Sequence, residues 1–405
     1  MALADPQAHG FDQARLARID ALLEARYLAP GLLPHAQLLI ARAGEIVHFS
    51  HLGPAREDGG AIGPQSLFRI ASMTKPITSL AFMMLVEEAR VALDTPVHHV
   101  LPAFKRLGVY NGGGAGVPFA TKPTAEPMRM VDLLRHTSGL TYGFQNRSNI
   151  DAAYRELKLE NWFGNHDLQS FVAELGKLPL EFSPGEAWNY SVATDVLGAV
   201  IEQVSGQPLD RFFQERIFAP LGMNDTFFQV PEDKIDRLTD CYDFVPGGKK
   251  LWDRGAASVW AHRPRLLSGG GGLVSTALDY HRFCTLCMNG GTLGGVQLVS
   301  RKTIDLMTQN HLPGGRDLAS MSRSLFSETQ NAGTGFGLGF AVNIDTARSM
   351  MPGSVGEYYW GGMFSTAFFI DPVEKISMVF MTQLRPSSSY PIRRELKTMI
   401  YSALL

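Results

Sequence analysis

The segment Phe68-Arg-Ile-Ala-Ser-Met-Thr-Lys-Pro76 places a serine three residues before a lysine, at the start of the apolar stretch 77–86. At this spacing on a helix, the side chains of Ser72 and Lys75 lie on the same face. A serine hydroxyl is a weak nucleophile until a neighbouring base takes its proton, and a lysine in an apolar site can serve as that base. Free N–H groups at a helix amino terminus suit a developing oxyanion. The segment therefore predicts Ser72 as a nucleophile and Lys75 as its base.

Two further segments follow in order along the chain. Residues 133–142 read Leu-Leu-Arg-His-Thr-Ser-Gly-Leu-Thr-Tyr, and residues 183–192 read Ser-Pro-Gly-Glu-Ala-Trp-Asn-Tyr-Ser-Val. Together with Ser72-Met-Thr-Lys75 they resemble the serine β-lactamase and penicillin-binding protein superfamily, most closely its class C branch and the related family VIII carboxylesterases. The resemblance runs from about residue 12 to the carboxyl terminus. It implies an active site in the cleft between a sheet domain and a helical domain.

The resemblance assigns a role to Tyr190, which aligns with the tyrosine that opens the superfamily's Tyr-x-Asn motif. Its phenol would carry the Ser72 proton, directly or through Lys75, and later pass it to the leaving alcohol. The asparagine of the motif is replaced by Val192. Since valine cannot hydrogen-bond the acylamide side chain of a β-lactam, this departure weakens the case for penicillin recognition.

The segment Trp360-Gly361-Gly362 resembles the Trp-Gly-Gly of family VIII esterases, where class C enzymes usually have Lys-Thr-Gly. Trp360 in place of the lysine removes a cation that would pair with a substrate carboxylate, so that neutral, apolar acyl groups are expected. Gly361 and Gly362 would let the substrate approach the strand. By the same resemblance, the N–H groups of Met363 and Ser72 would form the oxyanion hole.

Two residues of the segment 133–142 are also placed by the resemblance. Tyr142 is expected to line the cleft. His136 is expected to stabilise a turn and not to act as a general base. The common alternative device for an esterase, a Gly-x-Ser-x-Gly elbow, does not occur in the sequence, which argues against an α/β-hydrolase.

Composition is that of an ordinary globular protein. The 405 residues are 45% hydrophobic and 19% charged, with a net charge of −2. This gives no indication of a nucleic-acid partner. No apolar run reaches the ~20 residues that span a bilayer, and the start lacks a cationic segment followed by an apolar one, so we expect no membrane association and a cytoplasmic protein. No metal-ligand spacing accompanies Cys284 and Cys287, which we interpret as buried thiols; no metal or cofactor is expected.

Periodicity and turn signals predict elements at both ends of the chain that form one antiparallel sheet, and hence an α+β fold. We expect a helix at 12–27 capped by Asp12, a closing helix at 393–404, and strands at 37–41, 46–52, 335–344, 358–361, 366–370 and 376–382. Residues 1–87 and 266–405 would form the sheet domain, flanked by the terminal helices. Residues 88–265 would form a mainly helical insertion. The glycines at 112–114 are predicted to lie in a flexible loop, and those at 269–272 in a structural turn.

The predicted function is a carboxylic ester hydrolase that acts on short-chain acyl esters through an acyl-serine intermediate, with a small-molecule ester as its partner. Weak β-lactamase activity and acyl transfer to an alcohol use the same Ser72, Lys75 and Tyr190 and remain alternatives. A non-catalytic scaffold protein is the third alternative. The presence of all three residues, Ser72, Lys75 and Tyr190, argues against it. The sequence does not determine the natural substrate or the oligomeric state.

Overall fold

The computed structural model describes residues 3–323 and 331–405 and has the predicted α+β fold. The strands, in chain order, are β1 (Ala36–Arg42), β2 (Glu45–Leu52), β3 (Phe68–Arg69), β4 (Val109–Gly114), β5 (Val117–Lys122), β6 (Cys241–Val245), β7 (Gly248–Asp253), β8 (Val274–Ser275), β9 (Thr292–Leu293), β10 (Val296–Gln297), β11 (Thr334–Phe336), β12 (Ala341–Asn343), β13 (Tyr358–Gly361), β14 (Ala367–Asp371), β15 (Ile376–Met381) and β16 (Leu384–Arg385). The α-helices are α1 (Gln13–Leu23), α2 (Thr74–Glu87), α3 (Met130–Leu134), α4 (Asn149–Glu156), α5 (Leu168–Leu175), α6 (Ala193–Ser205), α7 (Leu209–Phe213), α8 (Ala219–Leu221), α9 (Ala277–Met288), α10 (Arg301–Met307), α11 (Leu318–Met321), α12 (Thr346–Ser349) and α13 (Ile392–Ser402).

A seven-stranded antiparallel sheet in the order β11-β12-β13-β14-β15-β1-β2 joins the two ends of the chain. Both of its faces are covered. On one face, Leu38 and Ile40 of β1 pack in a cluster with α1 and α13. On the other, Leu39 and Ala41 belong to the larger core that contains α2, α6 and α9. Burial on both faces explains why the central strands β14 and β15 are nearly continuously apolar in sequence.

The terminal helices lie close to their predicted positions. Asp12 caps α1 by accepting a hydrogen bond from the Arg15 N–H, as its residue type predicts. After Leu23 the chain continues as a single π-helical turn, Glu24–Leu28. Ala43 and Gly44, both with positive φ, make the turn of the predicted β1–β2 hairpin.

Two predictions of local structure are wrong. The strand predicted at 335–344 is two short strands, β11 and β12, because the chain turns between them and Gly339 (φ +98°) packs against Ser79, where a Cβ would lie 2.3 Å from the Ser79 Oγ. The glycines at 112–114 belong to β4, which pairs with β5, and not to a loop. The middle of the chain therefore contains hairpins, β4–β5 and β6–β7, beside its helices.

Helix α2 runs through the core, and every residue from Thr74 to Leu85 is buried. A helix buried on all sides is mostly apolar all round, which explains why the stretch 77–86 is apolar apart from Thr78 and Ser79. Cys284 and Cys287 on α9 are buried free thiols, as predicted. Among residues 3–323 and 331–405, none of the helices combines the length and the apolar character that a bilayer span requires.

Candidate active site

Ser72 lies on a 3₁₀ turn, Ala71–Met73, that leads directly into α2. The residue before it, Ala71, has a φ of +44°, a conformation that is costly for a side chain with a Cβ. A strained backbone conformation persists only where the surrounding structure holds it in place. Such conformations are concentrated at functional sites. The turn leaves Ser72 half-buried at the wall of a large cavity, while Lys75 lies one turn further into the core.

The Lys75 ammonium group donates three hydrogen bonds. Its Nζ lies 3.2 Å from the Ser72 Oγ, 2.9 Å from the Tyr142 hydroxyl and 2.6 Å from the Gly270 carbonyl oxygen. A neutral amine in the same position would donate two of these bonds and accept the Ser72 proton with its lone pair. The geometry therefore suits a group that exchanges a proton with Ser72.

Tyr190 lies beside this pair, on the segment that precedes α6. Its ring centroid is 4.7 Å from the Lys75 Nζ, and its hydroxyl accepts a hydrogen bond of 3.3 Å from the indole N–H of Trp360. Trp360 is on β13, so the sheet and the helical part of the chain both contribute to the site. The structure thus brings Ser72, Lys75, Tyr190 and Trp360 together, as the sequence analysis expects.

Tyr142 comes closer to the predicted base than the sequence indicates. Besides lining the cavity, its hydroxyl is the hydrogen-bond partner of Lys75, and its ring stacks on Phe144 at 4.8 Å. Burial raises the pKa of the Tyr142 phenol well above its usual range, with Asp195 adding to the effect. Tyr142 therefore remains a neutral phenol, which suits orientation of Lys75 better than proton abstraction.

Asp195 was not identified from the sequence. It lies on the first turn of α6 and accepts hydrogen bonds from the Ser268 hydroxyl and, at 3.1 Å, from the Gly270 N–H, while the carbonyl oxygen of Gly270 accepts from Lys75. Burial raises the pKa of this carboxyl, and the Lys75 charge opposes the rise. The signal that could have found it is a charged residue, Asp195, within the run 193–201, which is apolar apart from Thr194 and this aspartate.

Val192 and His136 lie behind the reacting groups. Val192 is buried, lines the cavity and donates its N–H to the Thr141 carbonyl, with no polar side-chain group to offer a substrate. His136 has a φ of +57°, and its carbonyl accepts the Asn189 N–H. Burial, and secondly the Lys75 charge, hold the pKa of its imidazole well below the usual value, so the ring is neutral.

The two glycines after Trp360 make room for protein atoms. A Cβ on Gly361 would lie 2.5 Å from the guanidinium carbon of Arg393, and a Cβ on Gly362 would lie 2.4 Å from the Ile70 carbonyl oxygen. Both glycines also line the cavity, so their expected role in substrate approach to the strand stays a prediction. They bring β13 against the segment that carries Ser72 and against α13.

Two backbone N–H groups line the cavity without a partner. Among the residues that the structure describes, neither the Ser72 N–H nor the Met363 N–H donates to a protein acceptor. Most backbone donors in a folded protein are paired, and an unpaired pair at a nucleophile is the arrangement that stabilises an oxyanion. The two donors are those that the sequence analysis assigns to the oxyanion hole.

The cavity has a volume of about 900 Å³, and aromatic side chains form part of its wall. In the cavity wall, the Trp162 ring packs on Gly271. The rings of Trp252, Trp260 and Phe364, which also line the cavity, contact one another. Its rim exposes several large apolar side chains: Phe144, Trp252, Val259 and Met363. Apolar surface grouped in this way marks a binding site for an apolar ligand. Within the described residues, no cluster of His, Cys, Asp and Glu side chains could hold a metal ion.

A family model, curated relatives and a solved structure all match most of the chain. A family model described as Beta-lactamase matches residues 21–398. Esterase EstB of Burkholderia gladioli is 32% identical over 98% of this chain and 98% of its own. Lovastatin esterase of Penicillium rubens is 30% identical over 81% of this chain and 83% of its own. Among solved structures, EstCE1, described as a hydrolase with promiscuous acyltransferase activity, is 27% identical, covers 96% of this chain and 99% of its own, and superposes with a TM-score of 0.79.

Proposed function

The chain belongs to the β-lactamase family, and we propose that it is a serine carboxylesterase that hydrolyses small, neutral esters through an acyl-enzyme on Ser72. The observation that carries the proposal is the hydrogen bond between the Lys75 Nζ and the Ser72 Oγ, at a cavity wall where the Ser72 and Met363 N–H groups have no acceptor among the described residues. Similarity to two named esterases and to EstCE1 supports the same reaction.

The geometry supports a two-step mechanism. In the first step, the Ser72 oxygen bonds to the ester carbonyl carbon while its proton passes to the Lys75–Tyr190 pair. The carbonyl oxygen becomes an oxyanion, which the N–H groups of Ser72 and Met363 stabilise. The carbon–oxygen bond to the alcohol then breaks, and the alcohol leaves with the proton from Tyr190. In the second step, water repeats the sequence on the acyl-serine and releases the acid.

The site chemistry favours esters over β-lactams. Trp360 stands where class C enzymes have a lysine, and Val192 stands where they have an asparagine, so neither a carboxylate nor an amide side chain finds its expected partner. Each lost charge-assisted or buried hydrogen bond is worth roughly 1.5–3 kcal/mol. The apolar rim at Trp252, Val259 and Met363 offers contacts to the carbon skeleton of an ester instead.

The test is a comparison of p-nitrophenyl acetate and butyrate with a penicillin and a chromogenic cephalosporin. We expect kcat/KM for the butyrate ester to exceed that for the penicillin by at least ~10³, with the strained cephalosporin between them. Penicillin hydrolysis that matches or exceeds butyrate hydrolysis would contradict the assignment and favour a β-lactamase.

Acyl transfer is the second candidate. The same acyl-serine would react with an alcohol in place of water, and the similar protein EstCE1 is described as having both activities. Addition of a short alcohol to the ester assay separates the two outcomes. An ester of the added alcohol, formed faster than free acid, would make the protein mainly an acyltransferase.

A further inference from the structure

A tight turn follows β13 and carries the Met363 N–H. The Gly362 carbonyl accepts the Ser365 N–H at 3.1 Å, and the Gly362 N–H donates to the Thr366 carbonyl at 2.9 Å. The peptide bond between Gly362 and Met363 is therefore held by its carbonyl oxygen. Because the C=O and N–H groups of a trans peptide point in opposite directions, whatever fixes this carbonyl also fixes the Met363 N–H.

The second partner of this carbonyl is a charged side chain from the other end of the sheet domain. Arg393, in the first turn of α13, donates from its Nη2 to the carbonyl oxygens of Gly362 (2.8 Å) and Thr366 (2.9 Å). It reaches them by crossing β13 at Gly361, where a Cβ would lie 2.5 Å from the guanidinium carbon. One guanidinium nitrogen thus bonds both carbonyls that define the turn.

We propose that Arg393 is a positioning residue that holds and polarises the Gly362–Met363 peptide so that the Met363 N–H is aimed at the oxyanion of the reaction intermediate. The inference rests on the proposed function. A charged donor on the carbonyl oxygen strengthens the N–H of the same peptide as a donor, since hydrogen bonds in a chain polarise one another. The benefit appears only when negative charge develops on the substrate oxygen, so it belongs to kcat and not to ground-state binding.

The experiment compares Arg393→Ala with Arg18→Ala, an exposed arginine on α1 that does not line the cavity. Removal of a whole oxyanion donor costs about 10²–10³ in kcat, and loss of its support should cost about 10- to 100-fold. For Arg393→Ala we expect this loss in kcat for p-nitrophenyl butyrate with KM changed less than about threefold, and a matching loss of affinity for a boronic acid that forms a tetrahedral adduct on Ser72. Arg18→Ala should behave as the wild type. Arg393→Lys, which keeps one charged donor, should lie between, and added methylguanidine should restore part of the Arg393→Ala activity.

Labelling of Ser72 with a fluorophosphonate counts the active sites that are correctly folded. Dividing turnover by this count gives kcat for each labelled serine, which separates a positioning role from simple loss of structure. A merely structural role would lower the labelled fraction and leave kcat for each labelled site unchanged, which would overturn the inference. If the wild type is active and Arg393→Ala has the same kcat for each labelled serine, the inference about Arg393 is wrong but the proposed function stands. A wild type that neither labels nor hydrolyses the ester would overturn the proposed function as well.

Discussion

At the scale of single residues, two tyrosines contact the Lys75 region and differ in environment. The Tyr142 hydroxyl is bonded to Lys75, and burial raises its pKa and keeps it a neutral phenol, whereas the Tyr190 hydroxyl is bonded to the Trp360 indole. The resemblance predicts Tyr190 as the proton carrier, and the geometry adds Tyr142 as a group that orients Lys75. Sequence spacing alone does not show that Tyr142 contacts Lys75, because only folding brings these two residues together.

Substitution separates the roles. Lys75→Ala and Tyr190→Phe should each lower turnover of p-nitrophenyl butyrate by about 10²–10⁴, the usual range for a positioned acid or base. The double variant should lose much less than the product, because both groups serve one proton path. Tyr142→Phe is the matched control and should lose at least tenfold less than Tyr190→Phe. Steady-state kinetics of the four variants measures this; a larger loss for Tyr142→Phe would exchange the two roles.

Glu160, at the cavity wall, makes stability depend on pH. Burial raises the pKa of its carboxyl from 4.5 to about 7, although the Gly143 N–H donates to it. In the unfolded chain the group ionises near 4.5, so between these two pH values the folded protein binds more protons and stability falls as pH rises. The loss by pH 8 is on the order of 3 kcal/mol.

The expected difference can be measured by urea unfolding at pH 4 and pH 8. Glu160→Gln should remove this part of the pH dependence and be more stable than the wild type at pH 8, with little difference at pH 4. Glu156→Gln, at an exposed position on α4, is the control and should follow the wild-type profile. An unchanged profile for Glu160→Gln would show that Glu160 ionises without cost in the folded protein.

At the scale of elements, the sequence predicts those helices, caps and turns that depend only on residues close together in the chain. The apolar run of α2, the Asp12 cap of α1 and the β1–β2 turn depend on neighbouring residues, and each is found where expected. The single strand predicted at 335–344 is wrong because its pattern hides a turn that Gly339 makes against Ser79. Asp195 and Arg393 were missed because packing between distant elements brings them to the site.

Close packing of β13 against the Ser72 segment gives a prediction for this element. In Gly362→Ala the new Cβ would meet the Ile70 carbonyl oxygen at 2.4 Å, and Ile70 adjoins the strained turn that carries Ser72. Overpacking of this kind costs about 1–3 kcal/mol. Thermal unfolding should show the loss, together with lower turnover for each folded molecule. Gly248→Ala, where the Cβ would meet no atom within 4 Å, should be near neutral, and equal stability of the two variants would refute the steric account.

At the scale of the whole molecule, the site depends on both ends of the chain. The turn leading into α2 supplies Ser72, α2 supplies Lys75, the segment before α6 supplies Tyr190, and β13 supplies Trp360 and the turn with Met363. The family resemblance predicted this convergence of sheet and helical parts, while the residues alone predicted only the nucleophile and its base. The aromatic wall could not be predicted, because Trp162, Trp252 and Trp260 meet only in the folded chain.

The central claim is that Ser72 carries the acyl group, and covalent labelling tests it most directly. The protein is treated with a fluorophosphonate, digested, and mapped by mass spectrometry, with Ser72→Ala as the control and thermal unfolding to show that the variant is folded. We expect one modification, on the peptide that contains Ser72, and neither label nor ester turnover in the folded alanine variant. Labelling at another serine, or normal turnover by Ser72→Ala, would contradict the account.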